Sequence, residues 1–162
     1  MAALDIAIAF GVRLLLVALF LPFSALDKIF DFRGATAQAR DEAGSPDLAA
    51  ALIVIGCCIE IFMSLGVLTG IADRAAALVL ALYCIATAVL WKQFWKPGDF
   101  WTKPNGNARA LFWDFWKNLA LAGGFLLITF GTSAGTVPQF FAHPLASTHP
   151  YTIGAHINSA AR

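Results

Sequence analysis

Two apolar runs between Leu48 and Leu90, the first interrupted by a single carboxylate, constrain this chain more than any other feature. The first reads LAAALIVIGCCIEIFMSLGVLTG. It holds about 20 nearly continuous apolar residues, enough to cross the hydrocarbon of a bilayer as a helix. The polar break IADR follows, then AAALVLALYCIATAVL, closed by Trp91-Lys92. Glu60 lies inside the first run, with Gly56 and Ser64 one turn to either side. A carboxylate inside such a span costs about 2.5–3.5 kcal/mol on insertion scales, so it demands a buried partner or a function.

Two more apolar runs complete a set of four, with spans predicted at about 4–30, 48–68, 74–91 and 110–131. The chain is 59% hydrophobic and 13% charged, where a soluble domain is nearer a quarter charged. The expected fold class is all-α: an integral membrane four-helix bundle over residues 1–131, followed by a polar extramembrane C-terminal tail over 132–162. The lipid bilayer is its first partner. A net charge of +1 argues against nucleic acid as another. The N-terminal run resembles a secretory signal, but Arg13 interrupts it, whereas signals carry their basic residues at the front; it is predicted to be a retained span. Pro22 predicts a kink within it. The segment DFRGATAQARDEAGSPD reads as a loop with one short helical group near residues 35–43, and Ser45-Pro46-Asp47 as the start of the second span.

Four spans on short connections cross alternately, so depths can be compared. Side A holds both termini and the turn at Gly70; side B holds the two longer loops. Arg13 is nine residues in from Leu4, and Glu60 is eight residues from the side-A end of its span. This predicts an Arg13–Glu60 pair. Arg13, Ser24 and Asp27 fall on one helical stripe, and Asp27 and Lys117 are at comparable depths near side B. This predicts an Asp27–Lys117 pair with Asn118 beside it. The expectation is thus two buried polar layers, built from Arg13, Glu60, Asp27, Lys117 and Asn118. They fix helix register, line a proton or ligand pathway, or, for Lys117 and Lys28, snorkel to the interface. No catalytic residue is assigned.

All five tryptophans, Trp91, Trp95, Trp101, Trp113 and Trp116, cluster in or beside the loop after the third span. They suit an aromatic belt at the headgroups, with lipid contact, or a wall against a flat apolar ligand such as a quinone head. Cys57, Cys58 and Cys84 form no C-x-x-C pair and read as small apolar filler. His143, His149 and His156 match no zinc spacing, so no metal is predicted. Nor is any covalently bound cofactor.

Four motifs in order carry a family resemblance. They are the arginine of GVRLLLVALFLPFSALDKIF, ending in Leu26-Asp27-Lys28; Glu60-Ile61 followed by LGVLTG; Arg74-Ala75-Ala76; and FWKNLALAGG from Phe115. Over residues 10–131 the chain resembles the DoxX family of small four-span bacterial membrane proteins. The resemblance implies an inner-membrane protein. Relatives include the membrane subunit of thiosulfate:quinone oxidoreductases, and partners of membrane-bound redox enzymes and thiol-stress systems. It implies other membrane subunits as partners and does not make this chain an enzyme on its own. The leading expectation is an accessory subunit of a membrane-bound redox or respiratory assembly. The alternatives are a quinone-linked oxidoreductase subunit with its own site, and a small-molecule or proton transporter, for which four spans without a repeat are few. Basic residues favour side B, with Lys28, Arg33, Arg40, Lys92, Lys96, Lys103 and Arg109 against Arg74 and Arg162 on side A. The positive-inside rule then predicts periplasmic termini. The tail is expected to be ordered by a partner rather than by a core of its own.

Overall fold

A computed structural model describes residues 2–103 and 106–152. Its long helices are α1 (Ala3–Phe30), α3 (Pro46–Thr69), α4 (Asp73–Trp91) and α5 (Asn107–Phe130), each long and apolar enough to cross a membrane. Two shorter helices, α2 (Phe32–Ala43) and α6 (Val137–Ala142), complete the set. No strand occurs among the described residues.

Local chemistry sets the helix ends. Asp31 caps α2 by accepting from Gly34 N at 3.0 Å, and Gly44 closes it in the left-handed conformation at φ +74°. The sequence between the first two spans, expected as mostly loop, is therefore a full helix, because both of its ends carry cap residues. Ser45 then caps α3 through Leu48 N at 3.2 Å, with Pro46 in the first turn, where a missing N–H costs nothing. Gly70, at φ +80°, ends α3 by donating to Gly66 O.

Both α1 and α3 contain a π-helical segment, over Leu19–Ser24 and Ile59–Met63, and these two segments pack on one another. In α1 the cause is Pro22, which has no N–H to give to the preceding turn and crowds the carbonyl there. The wider π turn absorbs the defect without breaking the span.

The core is built around α4. Ala76, Ala77, Leu80, Ala81, Cys84 and Ala88 are buried at helical spacing. Such small residues let the helix backbones come close, which in lipid replaces the hydrophobic drive as the source of packing energy. On their other side lie Ala122 and Phe125 of α5, Val17 and Phe20 of α1, and Val67 of α3. Gly66 takes part in this close approach: a Cβ there would meet Ala76 Cβ at 2.9 Å.

The described part of the tail packs on its own bundle. Phe140 of α6 is buried against Phe130, with Arg74 over its ring at 5.5 Å. Residues 145–152 run as a strap over side A, where Tyr151 donates to Leu68 O and stacks near Phe10. The strap packs on this chain's own helices, because their side-A ends offer a carbonyl, at Leu68, and a carboxylate, at Asp73, that it can satisfy. His156 and Arg162 lie outside the described residues.

Candidate functional site

Two polar clusters tie the spans together, and neither contains the pairs predicted from depth. In the first, Glu60 (1% exposed) projects from the π segment of α3. Its Oε1 lies 2.6 Å from Lys28 Nζ and accepts from Ser24 Oγ and Tyr83 Oη, both at 2.9 Å. Lys28 Nζ also donates to Ser24 Oγ at 2.7 Å. Three spans thus converge on one carboxylate oxygen. Gly56 makes room for this, since a Cβ there would stand 3.1 Å from Tyr83 Oη. The other oxygen, Oε2, and the hydroxyl of Ser64 are buried without a hydrogen-bond partner among the described residues.

In the second cluster, Arg13 Nη2 lies 2.7 Å from Asp73 Oδ2, and Nη1 donates to Val67 O at 2.6 Å. Thr148 of the strap completes it. Its N–H donates to Asp73 Oδ1 at 2.9 Å, while its hydroxyl accepts from Arg13 Nη2 and donates to Asp73 Oδ2. A third contact joins α4 to α5: Arg74 Nε donates to Thr129 O at 2.8 Å, and Thr129 Oγ1 returns a bond to Arg74 O.

The Arg13–Glu60 pairing is therefore corrected to Arg13–Asp73 and Lys28–Glu60. Depth failed because it assumed that the first and second spans end level on side A. Ser24 lies against Glu60, and Arg13 is eleven residues back along α1; eleven residues on from Glu60 is Ile71, in the turn. Arg13 is thus level with the turn, and residues 3–12 project about 15 Å past it at 1.5 Å per residue. The Asp27–Lys117 pairing also fails. Asp27 is exposed, and Lys117 (71% side-chain exposure) lies 3.4 Å from Asp114 Oδ1. Lys28, one α-helical turn on from Ser24, faces inward beside it in place of Asp27. Asn118 is half-buried on α5.

Sequence reasoning missed Asp73, Tyr83 and Thr148. Asp73 had a signal, an acidic residue just before the third span, but it read only as part of the polar break IADR. Tyr83 is the lone tyrosine in the spans. Thr148 had none. Of the tryptophans, Trp91 is half-buried, while Trp95, Trp101, Trp113 and Trp116 are exposed. They ring a group of edge-to-face aromatic contacts centred on Phe94, Phe100, Phe112 and Phe115. The three cysteines are free thiols, and no group of three metal-ligating side chains forms among the described residues.

Four apolar helices held by internal charge clusters define an integral membrane bundle protein. The comparisons give its family. The DoxX family profile matches residues 8–93, from α1 to just past the end of α4, and the chain belongs to the DoxX family. It is also similar to inner membrane protein YphA of Escherichia coli (strain K12), 29% identical over 117 residues that cover 72% of this chain and 76% of the relative. No solved structure matches it significantly. The motifs from Arg13 to Arg74 fall inside the matched segment; the one from Phe115 falls beyond it.

Proposed function

We propose that this protein is an accessory subunit of a membrane-bound redox or respiratory assembly in the bacterial inner membrane. The observation that carries this reading is the convergence of Lys28, Ser24 and Tyr83 on Glu60 Oε1. It commits a carboxylate that is 1% exposed to joining three spans, as a scaffold subunit requires. The family resemblance adds the redox setting, and the name of the relative adds the inner membrane. Purification in mild detergent tests it. The protein should elute with a subunit that absorbs as a flavin, haem or iron–sulfur group. Elution without any chromophore contradicts the reading.

One observation favours a second reading, a quinone-linked subunit with its own site. Glu60 Oε2 and Ser64 Oγ are buried polar atoms with no hydrogen-bond partner among the described residues, and such groups in native structures call for an explanation. A quinone extracted in proportion to the protein, and lost in Glu60→Gln, would place this reading first.

Side B is assigned to the cytoplasm from its basic residues. Lys28 leaves that count because it is bound to Glu60, and the balance keeps its sign. A phosphatase fused after Arg162 should be active only if the termini are exported; an inactive fusion reverses the assignment.

A further inference from the structure

We propose that the side-B end of α5 binds the headgroup of an anionic phospholipid, centred on Lys117. Lys92 Nζ lies 3.5 Å from Asp114 Oδ2, so Asp114 is level with the end of α4 at Trp91. That end marks the boundary between apolar span and polar loop on side B. Lys117 stands one turn further in, 71% exposed, on a surface that in a membrane faces lipid rather than water. Helical side chains lean toward the N-terminus of their helix. The ammonium therefore points outward to the headgroup level, where its contact with Asp114 shows it.

The charge at this point is unbalanced. Asp114 stands between Lys92 and Lys117, at 3.5 and 3.4 Å, and among the described residues no other carboxylate pairs with either. Two cations to one anion leave a positive site at headgroup height, and a phosphodiester supplies the missing negative charge. Trp113 lies one turn before Lys117, and Trp116 beside it, 59% and 51% exposed. Indole rings settle at this level, with their apolar bodies among the upper acyl carbons and N–H groups toward the headgroups. Cation and aromatic flank together thus match the charged and apolar parts of one lipid.

The test is a titration of the purified full chain in detergent with phosphatidylglycerol or phosphatidylcholine, bound lipid being counted by native mass spectrometry. Phosphatidylglycerol should bind in preference. Lys117→Gln should weaken it about fivefold, the size expected for one basic residue near an anionic surface, and leave phosphatidylcholine unchanged. Asp114→Asn should strengthen phosphatidylglycerol binding by removing the competing carboxylate. A mere structural role for Asp114 predicts the opposite sign. Equal binding of the two lipids, no effect of Lys117→Gln, or weaker binding in Asp114→Asn overturns the proposal. So does displacement of the lipid by inorganic phosphate at matched concentration, which would reduce the site to a bare phosphate site.

Discussion

Arg13 and Asp73 meet at 2.7 Å at the side-A end of the bundle, and Lys28 takes the place beside Glu60. The two clusters have different jobs. Lys28, Glu60 and Tyr83 join α1, α3 and α4 within the spans. Arg13 and Asp73 fasten α1, ten residues in from its start, to the first residue of α4, and bring the C-terminal strap down with them. Both clusters use charge where lipid offers no hydrophobic drive between helices.

Breaking the side-A pair on one side should cost more than removing it. Arg13→Gln leaves Asp73, fully buried, without its cation, and Asp73→Asn strands a guanidinium that is 9% exposed. Each single change should destabilise by about 3–5 kcal/mol, and the double variant by less than the sum. Denaturant unfolding in detergent measures this; strictly additive losses would contradict it.

The strap should matter through one hydroxyl. Thr148→Ala removes the oxygen that accepts from Arg13 and donates to Asp73, at a cost of about 1–3 kcal/mol for the groups left unsatisfied. Thr148→Ser keeps the oxygen and should stay near the parent. Equal losses in the alanine and serine variants would place the effect in the methyl group instead.

Two glycines in the spans should respond in opposite ways. At Gly66 an added Cβ meets Ala76 Cβ at 2.9 Å and Ile71 O at 3.2 Å, and neither atom ends a flexible side chain. Gly66→Ala should therefore destabilise by about 1–3 kcal/mol. Gly123 has nothing within 4 Å of such a Cβ, so Gly123→Ala should be neutral or gain up to about 1 kcal/mol in helix propensity. Similar thermal midpoints for both variants would show that α3 and α4 are not packed as described.

The four spans were legible because lipid forces the backbone to satisfy itself, and long apolar runs result. The partners of the charges were not. Pairing depends on register, and nothing in α1 announces that its first ten residues overhang the Gly70 turn. It depends on phase as well, and one turn past Ser24 it is Lys28 rather than Asp27 that takes the inner face. At Lys117 the error was of level, because α5 begins well beyond the end of α4 and its charged turn lies at the interface. Thr148 belongs to a polar tail whose composition gives no sign that it returns to Arg13 and Asp73.

The most direct measurement of the central claim, that Lys28 and Glu60 clamp α1 to α3, is a double-mutant cycle on these two residues. Glu60→Gln strands an ammonium that is 19% exposed, and Lys28→Met strands a carboxylate that is 2% exposed; a buried pair broken on one side costs about 3–5 kcal/mol. Thermal midpoints in one detergent should fall in both single variants, further in Lys28→Met, and recover most of the loss in Lys28→Met/Glu60→Gln. A double variant no more stable than the worse single one would contradict the clamp.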